Sequence, residues 1–157
     1  MLKVGDVAPD FETVDDAGKK FKLHEYRGKK VVLYFYPKDF TPGCTAEACS
    51  IRDSYEIFEN SGIPIFGISG GAAEVHQRFR GKYNLPFNIL VDEDLEITKL
   101  YGAYSKLNIL GIGVKRMTFL IDEDSKIEVI FGGSEGIDKV RSKEHAFQIT
   151  DYWGLKL

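Results

Sequence analysis

The stretch "VVLYFYPKDFTPGCTAEACS", residues 31–50, changes its apolar period part-way, and that change decides the fold. Val31 to Tyr36 form a continuous β-branched and aromatic run, the pattern of a strand buried on both faces. Beyond it, Ala48, Ile51, Tyr55 and Phe58 recur at spacings of three and four, so the pattern predicts one helix that runs on to a terminating Gly62. At the junction Thr41 fits as N-cap, its hydroxyl accepting from an orphan amide, and Pro42 falls at the first helical position, where a missing N–H costs nothing. Cys44 then stands in the first turn, where free amides and the helix dipole favour an anion, here a thiolate.

Working outward, "PIFGIS" (Pro64 to Ser69) reads as a second buried strand and "NILV" (Asn88 to Val91) as a shorter third. Between them, Val75, Phe79 and Tyr83 share one helical face, and Leu95, Leu100 and Tyr101 do so on a shorter helix. After Gly113 the period returns to two. "MTFLID" and "KIEVIF" flank the turn "EDSK" as an antiparallel hairpin, and a last amphipathic segment runs from about Ile137 to Trp153. "DFETVDDAGKKFKL" holds a small hairpin near the N-terminus. Alternating strands and helices imply right-handed parallel crossovers with helices on both faces, and the late hairpin adds antiparallel strands to the same sheet. That order is the order of an α/β, thioredoxin-like fold with an N-terminal extension and an extra helix before the hairpin.

At 157 residues, 43% hydrophobic and 29% charged, the chain fits one domain spanning 1–157 with a core of its own. The formal charge is −3, and basic residues mix with acids, as in "DDAGKKFKLHEYRGKK", so no segregated basic patch points to nucleic acid. The N-terminal "MLKVGDVAPDFETV" has no apolar core of signal-peptide length, and the longest apolar run is far too short to cross a bilayer, so a cytoplasmic location with no membrane partner is expected. In a reducing compartment, two close cysteines point to catalysis, redox chemistry or metal binding before a structural staple.

The spacing of the two thiols narrows this choice. In an intact helix residues five apart place their Cα atoms about 8 to 9 Å from each other, whereas a disulfide needs them within about 7 Å. Cys44 and Cys49 therefore bond only if the first turn unwinds. Cys44 does its first chemistry on another molecule, and Cys49 engages after local unfolding. A thiolate that meets a small oxidant becomes a sulfenic acid, which a neighbouring thiol condenses to a disulfide. Cleaving a peroxide also requires donors and a cation for the charge on the leaving oxygen. Thr41 supplies a hydroxyl, and Gly43 and Cys44 supply amides. Arg116, at the head of "MTFLID", supplies the cation if that strand lies beside Val31 to Tyr36.

"Pro37-Lys-Asp-Phe-Thr41-Pro-Gly-Cys44" resembles the Pro-x-x-x-Thr-x-x-Cys signature of peroxiredoxins, and the arginine of "VKRMTFLID" resembles their active-site arginine. Together with "GCTAEACSIRD" and "KYNLPFNILVDED", these motifs are similar to the bacterioferritin comigratory protein, or type Q, subgroup over nearly the whole chain. The resemblance implies a thiol peroxidase acting on hydrogen peroxide and organic hydroperoxides. It implies Cys44 as peroxidatic cysteine, supported by Pro37, Thr41 and Arg116, and Cys49 as the resolving cysteine. It further implies recycling by thioredoxin or a related dithiol protein, with no cofactor and no metal, in a monomer or weak homodimer. Gly43, Phe40 and Tyr36 are expected against the substrate. Phe40 departs from the acid common at its position; it either favours bulkier apolar hydroperoxides or is a surface aromatic packed on a neighbour.

Other classes fit less well. A metal-binding thioredoxin-fold protein would use the thiols with a histidine, but His24, His76 and His145 show no ligand spacing and read as solvated helix or loop residues. A Cys-His hydrolase needs one of them beside Cys44. The glycine-rich "GISGG" lacks the spacing of a dinucleotide site. "LNILGIGV" reads as a pocket lining, a dimer contact or an interaction surface. Disulfide exchange and metal binding have no use for Thr41 and Arg116 together, whereas peroxide reduction does.

Overall fold

A computed structural model describes residues 2–105 and 113–156. Most of "LNILGIGV", and with it the expected pocket lining or contact surface, lies outside the described residues. A two-stranded antiparallel hairpin, β1 (Glu12–Val14) and β2 (Lys20–Lys22), opens the chain. There follow β3 (Val31–Phe35), α1 (Pro42–Asp53), α2 (Tyr55–Asn60), β4 (Ile65–Ser69), α3 (Ala73–Tyr83), β5 (Ile89–Val91) and α4 (Glu96–Leu100). The hairpin β6 (Met117–Ile121) and β7 (Ile127–Phe131) and the helix α5 (His145–Trp153) complete the order. The five strands β3 to β7 make one mixed sheet in the order β5-β4-β3-β6-β7, the thioredoxin-like arrangement.

β3 lies at the centre of that sheet, parallel to β4 and antiparallel to β6. All its residues are buried, and successive side chains divide between two cores. Val31, Leu33 and Phe35 join one cluster with Phe21, Ile97, Tyr101 and Phe119, under the N-terminal hairpin and α4. Val32, Tyr34 and Tyr36 join the other with Ala48, Ile51, Phe58, Phe79 and Ile149, under α1, α2, α3 and α5. Helices thus flank both faces, but unevenly. Both parallel crossovers step the same way along the sheet, and a right-handed connection then puts both on one side.

Three expectations need correction. The single helix predicted to reach Gly62 is two, because Ser54, at φ −111° and ψ 11°, leaves helical geometry between α1 and α2. Leu100 is 47% exposed, because Leu95 adopts a left-handed φ of 61° and α4 starts only after it, which turns Ile97 and Thr98 inward instead. The last segment becomes helical only at His145, following a 3-10 turn at Ser142–Glu144, and Ile137 is exposed.

Candidate active site

The carboxyl end of β3 delivers the chain into α1, and the register of the neighbouring strand brings the cation to it. Phe35 pairs with Met117, so Arg116, one residue earlier, stands over the start of α1. Its Nη2 donates to Cys44 Sγ at 3.2 Å, and its Nη1 donates to Glu47 Oε1 at 2.6 Å. The fork of one guanidinium therefore joins the first thiol to a carboxyl one helical turn further on. Gly43 makes room for it: a Cβ there would lie 3.1 Å from Nη2. Cys44 is buried, Cys49 half-buried, and both are free thiols in the intact helix.

Pro42 occupies the first helical position and Thr41 the cap, in extended geometry. The expected cap bond is absent, however. The Thr41 hydroxyl turns back and donates to the Lys38 carbonyl at 2.9 Å, closing the preceding turn instead of serving a helix amide.

Behind Arg116 lies a buried polar group that sequence reasoning missed. Glu47 is fully buried, and its Oε2 has no hydrogen-bond partner among the described residues. His145 Nε2, from α5, faces that oxygen at 3.7 Å and stands 2.7 Å from Thr118 Oγ1 of β6. His145 Nδ1 lies 2.8 Å from Gln148 Oε1, whose amide nitrogen donates to the Lys139 carbonyl. Gln148 Oε1 can only accept, so Nδ1 carries the hydrogen and Nε2 accepts from the Thr118 hydroxyl. Burial pushes the Glu47 carboxyl up to about 7 against the pull of Arg116, and burial likewise pushes His145 down to about 4.

A second buried group anchors the loop from Pro37 to Thr41. Asp39 accepts from the Tyr36 hydroxyl at 2.6 Å, and its other oxygen lies 2.6 Å from His76 Nδ1 of α3. His76 and His145 are both fully buried, contrary to the solvated reading, because each is held by polar side chains inside the fold; His24 alone of the three is exposed. Tyr36, expected against the substrate, is 1% exposed and committed to Asp39, so it belongs to the anchor. Phe40 is half exposed at a left-handed φ of 66°, with its ring edge-on to Phe79 at 5.2 Å, which is the packed surface aromatic of the two alternatives. Pro37 accepts from the Ser69 hydroxyl through its carbonyl at 3.4 Å. Among the described residues, no group of three or more His, Cys, Asp or Glu side chains could hold a metal ion, and no helix is long and apolar enough to cross a membrane.

The model of the AhpC/TSA family matches residues 4–130. The chain belongs to that family. Within it the chain groups with the Bcp and Q peroxiredoxins. Peroxiredoxin Bcp of Bacillus subtilis (strain 168) is 43% identical over 129 residues, which cover 80% of this chain and 82% of that protein. Peroxiredoxin Bcp of Escherichia coli (strain K12) is 40% identical over 133 residues, covering 83% and 85%. Among solved structures, peroxidoxin BcpB from Mycobacterium tuberculosis superposes with a TM-score of 0.81 at 32% identity, covering 94% of each chain. Xanthomonas campestris peroxiredoxin Q does so with a TM-score of 0.82 at 26% identity, covering 92% of this chain and 89% of that one. The thioredoxin-like fold and the placement among thiol peroxidases thus agree.

Proposed function

We propose that this peroxiredoxin reduces hydrogen peroxide and organic hydroperoxides through Cys44. The observation that carries the reading is the Arg116 Nη2 contact at 3.2 Å from Sγ, on a cysteine in the first turn of α1. A guanidinium so placed favours the thiolate and stands ready for the charge that develops as an O–O bond breaks. Disulfide exchange and metal binding gain nothing from it. The thiolate attacks the terminal oxygen of the hydroperoxide, an S–O bond forms, the O–O bond breaks, and the leaving alkoxide or hydroxide takes up a proton. The first-turn amides of Gly43 and Cys44 donate to the oxygen pair, the Thr41 oxygen, its own hydrogen given to the Lys38 carbonyl, accepts from the hydroperoxide O–H, and Pro37 shapes the entrance.

The sulfenic acid is resolved by Cys49. Its thiol attacks the Cys44 sulfur, water leaves, and an intramolecular disulfide forms once α1 has opened. Thioredoxin or a related dithiol protein then returns two electrons and two protons. The test mixes reduced protein with stoichiometric hydrogen peroxide and follows thiol loss, then turnover with a thioredoxin system. Rapid loss that vanishes in Cys44→Ser supports the reading; equally fast peroxide consumption by Cys44→Ser overturns it.

A further inference from the structure

The turn that carries the Thr41 oxygen is bent against the preference of its own residues. Asp39 and Phe40 form the bend between Lys38 and Thr41, and the Thr41 hydroxyl closes it on the Lys38 carbonyl at 2.9 Å. Phe40, at a φ of 66°, holds a left-handed conformation that suits glycine and that a bulky side chain keeps only where its surroundings impose it. Thr41 follows directly, so the direction of its oxygen depends on that bend.

The element that imposes the bend is α3, which holds two adjacent residues of it. The Phe40 ring lies edge-on to Phe79 at 5.2 Å and 6.4 Å from Tyr83, a contact made at the surface by a half-exposed side chain. The hold on Asp39 is polar and buried. Its Oδ1 accepts from the Tyr36 hydroxyl at 2.6 Å, and its Oδ2 lies 2.6 Å from His76 Nδ1. A carboxylate oxygen only accepts, so Nδ1 carries the hydrogen. His76 is fully buried and its Nε2 has no hydrogen-bond partner among the described residues, so the polar contact of this ring is with Asp39. Gly71 leaves the pair little slack, since a Cβ there would stand 3.1 Å from His76 Cε1 and 3.7 Å from Asp39 Oδ2. Tyr36 ties Asp39 to the strand it follows, whereas His76 ties it to another element, 37 positions away.

We propose that His76 is a positioning residue, which from α3 holds Asp39 and so keeps the turn from Lys38 to Thr41 in the bend that presents the Thr41 oxygen to the hydroperoxide. The inference rests on the reading of Cys44 as the attacking thiol. Without His76, Asp39 is left in the interior with one donor in place of two, Phe40 relaxes out of the left-handed region, and the Thr41 oxygen swings away. Arg116 and the first-turn amides belong to β6 and α1, so the surroundings of the Cys44 sulfur stay as they were.

The test separates peroxide from electrophiles in general. Alkylation of Cys44 by iodoacetamide needs a reactive sulfur but no acceptor for a hydroperoxide O–H, whereas oxidation by hydrogen peroxide needs both. His76→Leu should slow stopped-flow oxidation of the reduced protein by about tenfold. Alkylation of the Cys44 peptide, followed by mass spectrometry, should stay within about twofold of the parent. His76→Asn, whose amide nitrogen stands close to the place of Nδ1, should restore oxidation to within about threefold. In a Thr41→Val background His76→Leu should cost less than about twofold more, because the two residues act in series. Equal slowing of both reactions by His76→Leu, no recovery in His76→Asn, or the full tenfold cost on top of Thr41→Val overturns the proposal. Asp39→Ala guards against a His76→Leu chain that fails to fold, since it removes the carboxylate and leaves no unpaired charge in the interior. It frees the same turn and must show the same split between the two reactions; parent rates in both overturn the proposal. None of these results touches the peroxidase reading, which fails if Cys44→Ser still consumes peroxide as fast as the parent.

Discussion

Cys44 and Cys49 share one twelve-residue helix, and the two thiols live in different chemical worlds. Cys44 is 1% exposed, sits in the first turn and receives a guanidinium N–H from Arg116, 72 residues away at the head of β6. Cys49 is half-buried, past the turn where the dipole helps. Arg52, on the same helix, gives its hydrogen bonds to Asp53 at 2.9 Å and to the Tyr83 carbonyl at 2.8 Å and reaches Cys49 only through space. Two identical side chains therefore differ because of what the fold brings to them. On the proposed reading, the first reacts in the closed helix and the second becomes useful when the helix opens.

The comparison breaks most sharply at Cys49. Cys49→Ser should lower turnover with a thioredoxin system by more than about a hundredfold while leaving the first oxidation within about twofold, with sulfenic and sulfinic acid accumulating by mass spectrometry. Unchanged cycling would mean that the second thiol does not resolve the first. Arg116→Met removes what sets Cys44 apart, and should slow the first oxidation by about a hundredfold with little change in the reactivity of Cys49 toward iodoacetamide. Gly43→Ala puts a methyl 3.1 Å from Nη2 and should displace the fork by a few tenths of an ångström. A loss of about three- to tenfold in the same stopped-flow rate is expected, since misplaced donors cost less than missing ones. A rate equal to the parent's would show that the guanidinium tolerates the shift.

The sequence carried the fold wherever one type of pattern ran long enough to be unambiguous. Val31 to Tyr36 and the period-two hairpin of β6 and β7 announce a sheet, and Thr41 with Pro42 announces where α1 begins. Cys44 and Arg116 were legible too, because a first-turn thiol and a cation at a strand head are local features that one strand pairing joins. Ser54 was not, since Tyr55 and Phe58 keep the helical spacing across the break. Glu47 does lie on the buried stripe of α1, four residues before Ile51 and three after Cys44, so a signal existed. A charged residue on such a stripe is ordinarily assigned to solvent, and only its partners Arg116 and His145, 69 and 98 positions away in the chain, explain why it is not. His76 was hidden in the same way behind Asp39.

If α1 opens as proposed, the interruption at Ser54 gives that opening a boundary. A helix continuous to Asn60 would spread the opening of its first turns toward Phe58, whose fully buried ring plugs the core over the central strands. With the chain broken after Asp53, α1 can come undone like a latch while α2 keeps the lid on the interior. The segment that must re-form after each reduction is then short, and short helices relax in about a microsecond or less. In the proposed cycle each round would thus untie a small knot at one end of the molecule and leave the seam behind it sewn.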